Sequence, residues 1–344
     1  MSILLSEIQE QPEAIHAFLE HEEQAVAAIA RAASQHSFQY IFIAARGTSD
    51  NAARYGQYLF GSLNRLPVAL AAPSLFTVYN TPPRLDGALV IGISQSGQSP
   101  DVVSVVEEGR RQGVPTIAIT NDPHSPMAQA ADHHIYLGVG EERSVAATKT
   151  YTAQLAALAL LSSKMAGLRE HEQQLRELPE FMQQALQTRV ETYQAADAMS
   201  AFNRAVVIGR GIHYATAFET ALKIKELSYV EAEPYSSADF KHGPIALAEE
   251  GLPVIVVSQG ALFRKEMREL REDLRRRGAR LIVLGDEAEF HPEELPIPLP
   301  AGLPEWLAPL AGILPGQLLA YYLSMARGFD PDQPRTLRKV TKTY

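Results

Sequence analysis

The run Ala88-Leu89-Val90-Ile91-Gly92-Ile93 passes directly into Ser94-Gln95-Ser96-Gly97-Gln98-Ser99, and then into Pro100-Asp101-Val102-Val103-Ser104-Val105-Val106-Glu107-Glu108. The first six residues are apolar and rich in β-branched side chains, as in a strand covered on both faces. Proline in the first turn of a helix gives up an N–H that has no partner there, so the third segment reads as a helix beginning at Pro100. Between them lies a strand-to-helix loop crowded with hydroxyls and amides. A helix N-terminus carries unsatisfied N–H groups and partial positive charge, which makes it a natural seat for phosphate. Ser94, Gln95, Ser96 and Ser99 add neutral donors to that seat. An ordinary polar loop has the same look in isolation, so the rest of the chain must decide.

The chain resembles itself when shifted by about 164 residues. Phe42-Ile43-Ala44-Ala45-Arg46-Gly47 matches Val206-Val207-Ile208-Gly209-Arg210-Gly211, and Leu89 to Gln95 matches Pro253 to Gln259. Arg110-Arg111-Gln112-Gly113 before one apolar strand matches Arg275-Arg276-Arg277-Gly278 before another. Gln154-Leu155 and Gln317-Leu318 stand opposite each other in two apolar helices. A repeat this long is a duplicated domain rather than a solenoid unit. Each copy alternates short strands with helices, which predicts a parallel sheet with helices on both faces. Ligands bind such sheets at the carboxyl ends of the strands. In the second copy Gly260-Ala261-Leu262-Phe263 replaces the hydroxyl cluster, so the phosphate seat is expected in the first copy only. The expected division is a helical segment over 1–30, a first domain over 31–168, a helical linker over 169–195, a second domain over 196–330 and a tail over 331–344.

Composition narrows the function. A formal net charge of -9 argues against nucleic acid as a partner, because that interaction draws on a basic surface. There is no cysteine, hence no disulfide, thiolate metal site or cysteine nucleophile. No signal peptide is apparent, and the Ala- and Leu-rich stretch from Gln154 to Leu168 is too short and too interrupted to cross a bilayer, so it reads as a buried helix. A cytoplasmic protein with no membrane partner is expected. Gly209-Arg210-Gly211 lacks the third glycine of a dinucleotide fingerprint, with Tyr214 in its place. His133-His134 and Glu20 to Glu23 lack a metal-ligand spacing, so no metal or organic cofactor is expected.

Other segments carry both an ordinary and a chemical reading. In Gly47-Thr48-Ser49, Ser49 or Asp50 is suited to cap the following helix; alternatively Thr48 and Ser49 face the same pocket as the serine loop. Glu219, Lys223 and Glu226 share one helix face, which usually means a solvated ion-pair ladder, yet Ala221, Leu222 and Leu227 beside them imply a core. A carboxylate at that border is suited to act as a general base with a lysine nearby. Lys241-His242-Gly243-Pro244 reads as a surface loop, or as a histidine held to move protons near neutral pH. The basic tail ending Lys339-Val340-Thr341-Lys342-Thr343-Tyr344 reads as an extended end, or as the carrier of an amine nucleophile.

Taken together these stretches resemble the sugar isomerase (SIS) family, above all the isomerase half of glutamine–fructose-6-phosphate aminotransferase and its stand-alone glucosamine-6-phosphate deaminase relatives. Gly47 to Ser49, Ser94 to Ser99, Val145 to Lys149, Lys223 to Tyr229, Ala232 to Tyr235, Lys241 to Pro244 and Asp332 to Arg335 carry the resemblance in the family's order. The resemblance implies two tandem SIS domains of flavodoxin-like α/β/α architecture. By position, Ser94, Gln95, Ser96 and Ser99 bind the sugar phosphate, while Thr48, Val145 and Ala147 contact the sugar. Glu226 moves a proton between C1 and C2, with Lys223 supporting it. His242 assists ring opening from the neighbouring subunit of a homodimer with shared active sites. Lys339 is the lysine that forms an imine with the ketose.

Departures from the aminotransferase set the expected reaction. Without cysteine, glutamine hydrolysis by the aminotransferase route is not expected. Ala147 stands where the aminotransferase has serine, and the tail Lys339-Val340-Thr341-Lys342-Thr343-Tyr344 also departs from the aminotransferase end; both of these resemble the deaminase and deglycase side of the family. The expected activity is conversion of glucosamine-6-phosphate to fructose-6-phosphate and ammonia. The alternatives are an isomerising aminotransferase-like enzyme, a fructose-amine-phosphate deglycase, or a non-catalytic sugar-phosphate sensor.

Overall fold

A computed structural model describes residues 2–285, 290–336 and 339. The chain separates into two compact units, each continuous in space but not in sequence. One takes in Met1–Pro12, Arg143–Thr148 and Leu178–Leu337; the other takes in Glu13–Glu142, Lys149–Glu177 and Arg338–Tyr344. This division departs from a linear reading of the chain, and long-range hydrogen bonds explain it. Asp332 accepts from Ser2 Oγ at 2.9 Å, Ile3 N at 2.9 Å and Leu4 N at 2.8 Å, so it caps the helix Ile3–Gln9. Gln11 Nε2 donates to Gln317 Oε1 at 2.6 Å. The next helix, Gln11–Ala33, is held in the other unit by Lys164, whose Nζ lies 2.8 Å from Glu23 and 2.8 Å from Glu172. The first thirty residues are therefore two helices, not one. The stretch expected as a linker is likewise two helices, Arg169–Ala185 and Arg189–Met199.

The first sheet contains β1 (Tyr40–Ala44), β2 (Val68–Leu70), β3 (Ala88–Ile93), β4 (Thr116–Thr120) and β5 (His133–Tyr136). Its order is β2-β1-β3-β4-β5, with every pair parallel. The second contains β6 (Arg204–Gly209), β7 (Glu231–Ser236), β8 (Pro253–Ser258), β9 (Arg280–Gly285) and β10 (Leu295–Pro298), in the order β10-β9-β8-β6-β7, again all parallel. The two orders are the same order, as the internal repeat predicts. All six residues of β3 are buried, which accounts for its continuous apolar run.

Alternate residues of β1 serve opposite faces. Phe42 and Ala44 join Val90, Val102, Val105 and Val106 in one core. Ile43 faces the other way, toward the helix Thr48–Leu59, where a Cβ added at Gly56 would stand 3.1 Å from Ile43 Cδ1. The helices after β1 and β3 thus cover opposite faces of one sheet, and the strand order reverses between those two strands. The Ala- and Leu-rich stretch is the buried helix Lys149–Ala166. A second stretch, Glu305–Ala326, is long and apolar enough to span a membrane, but 94% of its apolar window is buried within its own unit. Its helix Ala308–Ala326 accommodates Pro315 among core residues.

Candidate active site

Crevices in open parallel sheets form where neighbouring strands send their helices to opposite faces. In the first sheet that point is the carboxyl end of β1 and β3, and both hydroxyl loops leave from it. The loop after β1 turns at Gly47, whose φ of +55° makes it the N-cap, so the helix opens at Thr48 with no side-chain cap. Neither Ser49 nor Asp50 takes the capping role allowed by the sequence. Ser49 is buried and accepts from Gln154 Nε2 at 3.0 Å, which also explains why the sequence keeps Gln154 in an apolar helix. Burial pushes the Asp50 carboxyl above the usual range, against the pull of Arg54 and Arg46.

The loop after β3 is shaped from within. Ser94 Oγ accepts from Gly97 N at 3.1 Å, leaving its hydroxyl proton to donate elsewhere. Ser96 Oγ accepts from Gln98 N at 3.4 Å. The carbonyl of Gln95 is anchored by Asn121 N at 3.0 Å and Thr120 Oγ1 at 3.0 Å, beyond the end of β4. Gly97 sits at φ +61°, and a Cβ there would lie 2.2 Å from Ser125 Oγ, so the position has no room for a side chain. Ser99 is the N-cap of the helix Pro100–Arg111, but its hydroxyl makes no capping hydrogen bond. Arg46 Nε donates to Asp101 Oδ2 at 2.6 Å and ties the loop after β1 to the first turn of that helix. Asp101 is 1% exposed while Arg46 is half exposed. The sequence had not singled out either residue.

The equivalent point in the second sheet is closed. His213 Nε2 donates to the Gln259 carbonyl at 2.9 Å, joining the loop after β6 to the loop after β8. Gly211 lies so close to the Phe263 ring that a Cβ would come within 2.6 Å of it. At Gly209 a Cβ would meet the His213 carbonyl at 2.3 Å. The glycines of the Gly-Arg-Gly run thus meet a packing requirement of helix entry.

All the remaining candidates but Lys339 lie in the unit that holds the second sheet. The helix His213–Ser228 carries Glu219, Lys223 and Glu226. Sequence spacing alone would make these a solvated ladder, but the structure buries them. Lys223 is 1% exposed, lies 3.4 Å from Glu219 and donates to Glu226 Oε2; the side chain of Glu226 alone reaches the surface, at 23% exposure. Val145 and Ala147 are half-buried and alternate with the buried Ser144, Ala146 and Thr148. That segment is clamped by Glu7, which accepts from Arg143 N at 2.6 Å, Ser144 N at 3.2 Å and Ser144 Oγ. Glu7 had no signal in the sequence beyond being a carboxylate in an apolar helix face.

His242 is exposed and closes the short helix Ser237–Lys241. Lys241 is thus helical rather than in a loop, and Gly243, at φ +154°, begins the turn after it. Lys339 is the described part of the tail's end. Its Nζ donates to Glu142 Oε2 at 2.6 Å within the unit that holds the first sheet. Glu142 is another buried carboxylate that the sequence did not single out. Residues 340–344 of the tail lie outside the described residues. Among the described residues, no three His, Asp or Glu side chains gather as a metal ion would require.

Comparison with known proteins places this geometry. The model of the SIS domain matches residues 37–164 and 199–290. Glutamine–fructose-6-phosphate aminotransferase (isomerizing) of Pyrococcus horikoshii is 37% identical over 98% of this chain and 57% of its own length. The chain thus spans 57% of that curated relative. The C-terminal domain of glucosamine-fructose-6-phosphate aminotransferase from Francisella tularensis superposes with a TM-score of 0.88 at 29% identity, over 97% of this chain and 98% of that one. Glucosamine-6-phosphate deaminase from Thermotoga maritima superposes at 0.79 over 99% and 100%; at 22% identity this likeness speaks for the fold alone. With the match falling on both sheets, this chain belongs to the SIS domain family.

Proposed function

We propose that the chain is a sugar-phosphate aldose–ketose isomerase that releases ammonia, converting glucosamine-6-phosphate to fructose-6-phosphate. The observation that carries this reading is the buried Lys223 fixed against Glu226. A 1,2-proton shift needs one base poised over two adjacent carbons. Lys223 occupies one oxygen of Glu226 and orients the carboxylate, while the exposed part of the side chain is available to a substrate. A sensor has no use for a lysine buried between two carboxylates, which is costly to desolvate.

In this reading the phosphate is held by Ser94, Gln95, Ser96 and Ser99, whose donors are neutral, and by the helix N-terminus at Pro100. Thr48, Val145 and Ala147 contact the sugar. His242, supplied by the second chain of a homodimer, moves the proton that opens the ring. Glu226 then removes the proton from C2 of the open aldehyde and returns it to C1. The electron pair left at C2 forms the enolamine while the aldehyde oxygen takes up the proton that the substrate's ammonium group gives up; protonation at C1 gives the C2 iminium, and water replaces nitrogen to yield the ketone and ammonia. The names of the related proteins support an amino-sugar phosphate as substrate, and a phosphorylated sugar fits a cytoplasmic enzyme.

The test is release of ammonia and fructose-6-phosphate from glucosamine-6-phosphate by the purified protein, with galactosamine-6-phosphate and a fructose-amine phosphate alongside. Equal release of both products, lost in Glu226→Gln, is expected. No turnover on any of the three, with fructose-6-phosphate still bound, contradicts the proposal.

A further inference from the structure

We propose that Glu142 is the proton-transfer partner of Lys339, taking the proton that must leave the lysine before it attacks a ketose and returning it to expel water. The inference rests on the isomerase reading above together with the role that the family resemblance gives Lys339, which is to form an imine with the ketose. Glu142 is held independently of the tail. Its Oε1 accepts from Thr150 N at 3.1 Å and its Oε2 from Thr150 Oγ1 at 2.8 Å, at the first turn of the helix Lys149–Ala166. Onto this fixed group Lys339 Nζ donates at 2.6 Å, with the carboxylate side chain fully buried and the lysine a quarter exposed.

An ammonium has no lone pair, so Lys339 must lose a proton before it is a nucleophile. The acceptor in contact with it is Glu142. The proton passes from Nζ to the carboxylate. The neutral amine adds to the C2 carbonyl, forming the C–N bond, and the nitrogen proton moves to oxygen to give the carbinolamine. Glu142, now a carboxylic acid, protonates that hydroxyl. The C–O bond breaks, water leaves, and the iminium forms with Glu142 again ionised. Charge and protons balance with no outside acid. Substituting a carboxylate that only latched the tail would weaken binding or loosen the fold, whereas substituting a proton carrier slows adduct formation at unchanged affinity.

The experiment is reductive trapping of fructose-6-phosphate on the full chain with sodium cyanoborohydride, with the adduct at Lys339 quantified by peptide mass mapping. Melting temperature and fructose-6-phosphate affinity are measured for every variant. In wild type, Lys339 is expected to be trapped far faster than surface lysines. Glu142→Gln, whose one amide oxygen can still accept from Lys339 and Thr150 Oγ1 while its NH2 replaces the oxygen that accepts from Thr150 N, is expected to slow trapping about a hundredfold with affinity kept. Glu142→Asp keeps the charge but draws it back, and an intermediate rate is expected. Trapping at the wild-type rate in folded Glu142→Gln, or in Glu142→Asp if the amide variant does not fold, overturns the proposal. No adduct at Lys339 in wild type overturns it together with the tail-lysine role. Product release that still depends on Glu226 in the same sample would leave the isomerase reading standing.

Discussion

Lys223 donates to Glu226 from a position 1% exposed, with Glu219, itself 0% exposed, 3.4 Å from the same ammonium. One buried cation therefore serves two carboxylates, of which only Glu226 reaches solvent. Removing the lysine leaves Glu219 a buried charge without its close cation. Lys223→Met is expected to lower stability by about 3–5 kcal/mol and to reduce turnover. The double variant Lys223→Met/Glu219→Met removes both buried charges and is expected to recover most of the stability without recovering turnover. Denaturant melts and product release on the two variants check this. Restored turnover in the double variant would show that Lys223 is structural only.

Gly97 sets the shape of the phosphate loop. Gly97→Ala must accommodate both a φ of +61° and a methyl 2.2 Å from Ser125 Oγ. Affinity for fructose-6-phosphate, read by calorimetry, is expected to fall at least about tenfold, the fold itself losing on the order of 1–3 kcal/mol. Adding Ser125→Gly relieves the clash but not the backbone strain, so recovery is expected to be partial. Unchanged affinity in Gly97→Ala would remove this loop from the binding site.

His242 is exposed at the end of its short helix, which suits a residue that acts on a second chain's substrate. Chains carrying His242→Ala and chains carrying Ser96→Ala are each expected to be inactive. In verified heterodimers one intact site per pair is expected, with activity recovered to at most about half of wild type per dimer. Absence of any rescue in such heterodimers counts against a site shared between subunits.

Acid stability has an identifiable contributor in Glu294. It accepts from Arg271 Nε at 3.0 Å and Arg275 Nη1 at 2.7 Å. Burial opposes its charge, but these guanidinium hydrogen bonds and the backbone N–H of His291 outweigh burial and hold its carboxyl below the usual range. A depressed carboxyl contributes stability above its unfolded value, about 4.3, and loses it as pH falls through the lower folded value. Wild type is thus expected to lose this increment only in acid below about pH 4. Glu294→Gln is expected to lose about 3 kcal/mol at neutral pH, with a flatter profile below pH 4, because Arg271 stays buried without its carboxylate. Parallel urea melts at pH 7 and pH 3.5 measure both effects.

Much of the fold was legible because its signals are local or repeated. The run Ala88–Ile93 is apolar on both faces because β3 sits inside a parallel sheet, and the shift between copies reappears as one strand order used twice. The strand-to-helix junction was legible in the same way, since Ser94 to Ser99 stand where β3 ends and the helix Pro100–Arg111 begins. Contacts between distant residues were not legible. Asp332 caps a helix that begins at Ile3, Glu7 clamps Ser144, and Glu142 holds Lys339; no spacing in the sequence announces such pairs. Helix ends misled where a glycine acted in place of a side chain, as Gly47 did ahead of Ser49 and Asp50. The charges at Glu219, Lys223 and Glu226 look solvated by spacing. Only the apolar residues beside them, Ala221, Leu222 and Leu227, signalled that the helix borders a core.

The central claim is that Glu226 carries one proton between two carbons of a sugar phosphate. Glucosamine-6-phosphate labelled with deuterium at C2 tests it directly, with the fructose-6-phosphate product read by NMR for deuterium at C1. Wild type is predicted to place part of the label at C1, the remainder exchanging with water. Glu226→Gln is predicted to lose label transfer and turnover together, by a factor of about 10² to 10⁴, while still binding fructose-6-phosphate. Product formed by Glu226→Gln at the wild-type rate would contradict the account.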